Sequence, residues 1–366
     1  MTQTMVLPGT YIEVRDEGLI SPGGVVTGNI GIVGTAEKGP VDEVQLLGSL
    51  SEAKEIFGKS DEWQDDTKNE LTLIRALELI YQNGGQTVYA VRTAKIDADK
   101  YLPEASSDDY TRSLALLENE IVNIVLLAGQ DVTKTGMLTA LEGHLKTTAG
   151  IKRERIGIIG SGFTDGKDSL DDISNHTVKN DRIIFTAPGI LVSSQGKQNK
   201  LPGSYLAAAV AGMLSSLPVQ TSPTNKTLTI EGLTTEFNST QLEKLVTNRV
   251  LTVEKRDGFR IVKGITSDNG AWKQITTRRI VDYAIYGVRS SCNPYIGKLN
   301  NERVRGAMKA TLNAFLTRMV DNEALVSYQL DVSATPAQEK EGKVMVTMTL
   351  MPTFSIDFIQ VTMYLE

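Results

Sequence analysis

The chain has 366 residues, 40% hydrophobic and 22% charged, with a formal net charge of −6. That length allows about two domains with a substantial core, and an acidic pI of about 5.3 argues against general nucleic-acid binding, which needs a basic surface. A single cysteine, Cys292, excludes an internal disulfide framework; no apolar run approaches the ~20 residues of a membrane span.

The first residues carry no basic region and no apolar core of signal-peptide length, so synthesis and folding in the cytoplasm are expected. Pro8-Gly9 is a turn signal. Tyr11, Ile12, Glu13, Val14 and Arg15 then make a short alternating strand, with Tyr11, Glu13 and Arg15 on one face and Ile12 and Val14 on the other. Gly18 opens a loop that Pro22, Gly23 and Gly24 keep irregular. A strand followed by such a tether reads as an arm, separable from the body.

The body begins with a buried strand near 27–36, rich in close-approach glycines. A strand at 44–47 and a short helix follow; Ser51 is read as the helix cap and Gly58 as its stop. Leu73, Leu77 and Ile80 sit at helical spacing in an amphipathic helix over 71–82, and Val88 to Arg92 is a strand. Helices at 110–118, 134–148 and 169–174 then alternate with strands at 121–128, 155–160 and 182–186, followed by a helix at 204–215. Such alternation predicts an open α/β layer with a largely parallel sheet.

Beyond Pro218 the pattern becomes α+β. Strands are expected at 227–231, 250–255 and 259–266, helices at 239–247 and 272–286, a long helix at 301–320 and a strand at 325–332. The chain closes with an expected hairpin. Its first strand is 344–350. Pro352 interrupts it, and a second strand runs from Asp357 to the last residue. There Ile359, Val361, Met363 and Leu365 share one face; Gln360, Thr362 and Glu366 mostly take the other, and Tyr364 lies between them in sequence. A half-apolar strand left unpaired is an exposed edge, so it must pair within its subunit or with a neighbour.

No motif demands catalysis. Gly160 to Lys167 lies between a strand and a helix, where a phosphate loop would sit, but its spacing has one residue too many and Asp168 replaces the hydroxyl that would bind Mg²⁺. A polar turn is the plainer reading. His144 and His176 have no second ligand at metal spacing. The acid pairs at 65–66, 108–109 and 171–172 read as solvated turns or helix starts. The helix at 301–320 is different: it carries Arg303, Arg305, Lys309 and Arg318 against one acid, Glu302, in an acidic chain. Val304, Met308, Phe315, Leu316 and Met319 can form its buried stripe. Arg305 and Lys309, four residues apart, are expected to share an exposed face. That face is either merely solvated or a dock for an acidic partner.

Several of these stretches occur in an order that resembles contractile tail sheath proteins. The blocks are Pro8-Gly9-Thr10-Tyr11-Ile12-Glu13; Thr27 through Pro40; Tyr81-Gln82-Asn83-Gly84-Gly85 leading into Val88 to Arg92; Leu206-Ala207-Ala208-Ala209-Val210-Ala211-Gly212-Met213; and the stretch 276–289. They cover the first quarter and the last 40% of the chain, while 100–200 reads as generic α/β. One departure is Lys263-Gly264-Ile265-Thr266, where many relatives have Asn before the Thr.

The resemblance implies a two-domain architecture, α/β plus α+β, with strand arms at both ends. The divisions expected are an N-terminal arm (1–25), an outer α/β domain (26–220), an inner α+β domain (221–350) and a C-terminal arm (351–366). It implies a structural subunit, not an enzyme, with no cofactor and no metal. The expected partners are the chain itself in stacked hexameric rings, an inner tail tube protein, and baseplate and tail terminator proteins. Nucleic acid and direct membrane insertion are not expected. Residues 11–15 and 359–365 would be strands given to neighbours, and Arg303, Arg305, Lys309 and Arg318 would face the tube. Gly18, Pro22, Gly23, Gly24 and Pro352 would be hinges. The particle would be a phage tail or a bacteriocin, assembled in the host cytoplasm. The rival reading is a cytosolic α/β enzyme holding a nucleotide-like ligand near 160–167.

Overall fold

A computed structural model describes residues 27–60, 71–93, 105–131, 136–162, 169–194 and 197–363. The chain forms two compact units. The larger comprises Val25–Tyr286 and Pro352–Glu366; the smaller includes Gly287–Met351. This division falls after Tyr286, well beyond the expected change near 220, because the segments after Pro218 pack onto the α/β core instead of leaving it.

In the larger unit, β1 (Ile30–Gly34), β2 (Val44–Leu47), α1 (Leu50–Phe57), α2 (Thr72–Gln82), β3 (Val88–Arg92), α3 (Ser107–Leu116), β4 (Ile124–Asp131), α4 (Met137–Gly150), β5 (Ile156–Gly160), α5 (Leu170–Ser174) and β6 (Ile183–Thr186) alternate as expected. The sheet order is β2-β3-β1-β4-β5-β6. All neighbours are parallel except β2, which pairs antiparallel with β3 at the edge. Strand β1 is buried along its whole length. Ile30 and Ile32 join the apolar layer beneath α1 and α2, and Val33 joins the layer beneath α3 and α4. Burial on both faces explains why these strands read as continuous apolar runs.

The chain goes on through β7 (Ile190–Ser194), β8 (Lys197–Leu201), α6 (Gly203–Ser216), β9 (Thr227–Leu228), β10 (Gly232–Leu233), α7 (Ser239–Thr247), β11 (Val253–Lys255) and β12 (Phe259–Ile261). The hairpin of β7 and β8 was not legible in the sequence; its second strand, KQNKL, lacks the β-branched signature. Helix α6 is buried from Gly203 to Leu214. It lies against α2, and a methyl group on Gly212 would strike the Ile80 carbonyl. Only glycine permits that approach.

Arginines close the ends of these elements. Arg155 is 1% exposed and donates to the Leu117 and Glu120 carbonyls at 3.1 and 3.3 Å, beyond the end of α3. The same guanidinium lies 3.1 Å from His144 Nε2 on α4. Burial, and then the Arg155 charge, hold the His144 imidazole down at about 3.

Helix α8 (Ile275–Cys292) begins in the larger unit. Arg278 bonds Asp282 at 2.7 Å and Asp181 at 3.0 Å, and Arg182 grips Asp282 through two bonds of 2.8 and 3.0 Å. Arg279, also buried, donates at 2.9 Å to the Leu217 carbonyl just past α6. Its guanidinium also reaches the Pro218 and Thr27 carbonyls. Desolvation lowers its pKa to about 10.

In the smaller unit a single 3-10 turn (Asn293–Tyr295) follows the end of α8. Then come α9 (Glu302–Asp321), β13 (Leu325–Ser333), α10 (Pro336–Lys340) and β14 (Met345–Pro352). Strand β14 pairs with β13, and not with the described part, 357–363, of the second strand that the expected hairpin required. Leu330, Val332 and Val346 pack on the cluster of Tyr295, Met308 and Leu312. Helix α10 connects the two strands, capped by Thr335 and Gln338 with Pro336 in its first turn. At Gly287 an added methyl group would land on the Phe315 ring, so the ring of α9 packs directly on the α8 backbone there.

Two outcomes are expected. Gly287→Val should destabilise the chain by about 1–3 kcal/mol in urea unfolding, and Phe315→Leu should recover part of that loss. For His144, the folded value lies below the unfolded value of about 6.5, so its full contribution is present above that pH and fades toward about pH 3. Stability should therefore fall by about 2 kcal/mol between pH 7 and ~5. His144→Gln should flatten that slope in urea midpoints.

Candidate functional site

The long basic helix, α9, is held at its start by the Asn301 side chain, which accepts from Val304 N. Met308, Thr311, Leu312, Phe315, Leu316 and Met319 are its buried stripe, and Val304 packs at the margin. Its four cations divide into two pairs. Arg305 is half-buried, not on an exposed face: its guanidinium meets Glu339 of α10 at 2.7 Å and Asn300 Oδ1 at 2.9 Å. Lys309 lies 3.6 Å from Asp331 of β13, with its side chain 43% exposed. The correction has a clear cause. Helix α10 and strand β13 lie beside this face of α9 and bring their own carboxylates, which counting charges along the helix alone could not reveal. Arg303 and Arg318 are exposed and have no ion-pair partner among the described residues.

Strands β13 and β14 form a sheet of two. Tyr328, Leu330, Val332, Val346, Met348 and Leu350 are half-buried, and their neighbours in the strands are exposed. Among the described residues no third strand pairs with either edge.

Among the described residues the C-terminal segment is the most exposed apolar stretch. Ile356, Phe358, Ile359 and Met363 are 80–83% exposed and Val361 73%. Residues 353–363, with Gln360 and Thr362 among them, have no strand partner among the described residues. Pro352 is the last residue of β14 and stands at the passage between the two units. Tyr364 and Leu365 lie outside the described residues, as do Tyr11, Ile12, Glu13, Val14 and Arg15 and the hinge residues Gly18, Pro22, Gly23 and Gly24.

Most of the phosphate-like stretch, 163–168, is also outside them. At its start the Ser161 carbonyl already accepts from Ser204 N, at the N-terminus of α6. Among the described residues no group of three or more His, Cys, Asp or Glu side chains could hold a metal ion. No described helix is long and apolar enough to cross a membrane.

Comparison with known proteins decides the family. A family model for the phage tail sheath protein central domain matches residues 104–267, and one for the phage tail sheath C-terminal domain matches 267–366. This chain belongs to the phage tail sheath family. The two matches run through the middle of the chain, which the sequence reading had left as generic α/β. The tail sheath protein of Staphylococcus phage Twort is 30% identical over 116 residues. That alignment covers 30% of this sheath-family chain and 20% of the relative.

Solved structures share the fold. The contracted helical sheath of the anti-feeding prophage aligns with a TM-score of 0.73 at 18% identity, covering 99% of each chain. The contracted sheath of an extracellular contractile injection system, PVC, gives 0.75 at 15%, covering 99% of this chain and 98% of that one. A sheath tail protein from Desulfitobacterium hafniense gives 0.65 at 10%, covering 94% and 100%. The nucleotide-binding enzyme alternative finds no support among these relatives.

Within α9 the two kinds of cation should behave differently. Arg305→Ala should lower stability by about 1 kcal/mol in urea unfolding, because its ion pair is part of the fold. Arg303→Glu and Arg318→Glu should leave the unfolding midpoint within about 0.5 kcal/mol of the parent.

Proposed function

We propose that the chain is the repeating subunit of a contractile sheath, polymerising as stacked hexameric rings around an inner tube and driving that tube through a target envelope. Two observations carry this reading. Among the described residues the sheet of the smaller unit has two strands and no third strand on either edge. In the larger unit, an apolar strand sequence is exposed and has no strand partner among the described residues. Strand addition between copies removes both defects with main-chain hydrogen bonds. The N-terminal strand at 11–15 takes the same role at the other end.

In the extended state each subunit holds the tube and the strand mesh. Contraction moves the bodies while the mesh keeps rings joined, with 18–24 and the chain near Pro352 absorbing the change. New contacts between bodies make the contracted state lower in free energy, and no nucleotide is consumed. Arg303 and Arg318 are the cations left to meet an acidic tube. Baseplate and terminator proteins cap the polymer. The particle is a phage tail or a related injection machine.

Electron microscopy of negatively stained protein tests this directly. Striated tubes are expected from the full-length chain and dispersed subunits from chains lacking 1–16 or 353–366. A compact particle unchanged by either truncation would overturn the reading. The double variant Arg303→Glu, Arg318→Glu should still form subunits of parental stability but lose binding to the isolated tube protein. Parental binding would remove these residues from the tube interface.

A further inference from the structure

The C-terminal segment is not free along its whole length. Thr353, Ser355 and Asp357 are half-buried while Phe354 and Ile356 point outward; from Phe358 to Met363 every residue is exposed. The alternation that stops at Asp357 marks where the chain leaves the surface of the larger unit. The inward side chains meet a definite set of partners. Lys263 Nζ lies 3.2 Å from Asp357 Oδ2, and the two side chains are only 18% and 13% exposed. The Gln274 amide bridges two points of the segment: its Nε2 donates to Asp357 Oδ2 at 3.3 Å and its Oε1 accepts from Ser355 N at 3.4 Å. Thr276 Oγ1 lies 3.4 Å from Ser355 Oγ. The Lys263 ammonium also sits 4.8 Å from the centre of the Phe358 ring.

These partners are themselves fixed. Ile265 and Gln274 form an isolated antiparallel bridge, Ile275 N donates to the Gly264 carbonyl at 3.2 Å, and Thr276 is buried in the first turn of α8.

We propose that Lys263, Gln274 and Thr276 form a seat that clamps residues 355–357 of the same chain and so sets the length of the arm offered to a neighbour. The proposal rests on the strand-donation reading above. With the seat closed the arm is rooted at 359; with it open the root moves back six residues to 353, which adds about 20 Å of extended reach. A clamped root restricts the arm to one neighbour and one register, and makes it move with its parent body.

The test uses the full-length chain with Lys263→Glu, with Asp357→Lys, and with both. Chymotrypsin can cut after Phe354, at the entry to the clamped stretch, and after Phe358, at its exposed outer edge. In the parent, cleavage after Phe358 should be fast and after Phe354 slow. Each single variant should speed cleavage after Phe354 by about tenfold, and the charge-swapped double variant should restore the slow rate. Equal rates in parent and single variants, or no recovery in the double, would overturn the seat. Ring spacing in negatively stained tubes tests the reach: the single variants should give irregular spacing, and parental regularity would refute the fixed length. If the parent makes no tubes, the sheath reading fails while the cleavage pattern still reports on the seat.

Discussion

Backbone N–H and C=O groups withdrawn from water must find partners, and that requirement governs the smaller unit. Among the described residues, strands β13 and β14 satisfy each other along one side only, and Met308 and Leu312 of α9, with Tyr295 of the preceding turn, cover one face. This is the least a sheet can be and still hold a fold. On the proposed reading, strands from neighbouring copies would complete such a unit, and main-chain pairing would tolerate a change in angle between bodies better than a jigsaw of side chains.

The larger unit meets the same requirement internally. Its parallel sheet is covered on both faces, and its awkward carbonyls are claimed by buried arginines: Arg155 beyond α3, Arg279 beyond α6. The Arg182–Asp282–Arg278 cluster ties α8 to the start of β6, so the helix that enters the smaller unit starts from a fixed base. Charges buried in this way contribute little net stability, but breaking one pair strands the other charge, which makes the arrangement specific.

Much of this was legible in the chain. The βα alternation from Ile30 to Thr186, the helix ended by Asn83-Gly84-Gly85, and the long basic helix all appear where periodicity and capping chemistry placed them. Their signals are local: which side chains face the core within one helix or strand. The β7 and β8 hairpin was missed because Lys197–Leu201 owes its strand state to pairing with Ile190–Ser194, not to its own composition. Helix α10 was signalled by Thr335-Pro336 and Gln338 but is too short for periodicity to show. The partner of β14 was misassigned because the nearest strand in sequence was taken as the nearest in space. The small domain begins after Tyr286, not near 220, because contacts decide a boundary and composition only hints at it.

By itself the sequence determined the periodicities and the apolar C-terminal strand pattern, because each depends on residues within one or two turns of one another; the cap of α1 is Ser49, which accepts from Glu52 N, and not the expected Ser51. The ordered blocks of residues also carried the family resemblance. Only the tertiary structure decided which charges remain free and which strand lacks a partner. Arg305 is neutralised by Glu339 from 34 residues away, and Asp357 is anchored by Lys263 from 94 residues away. No window along the chain contains both members of such a pair, and the pairing of charges and strands depends on distance in space.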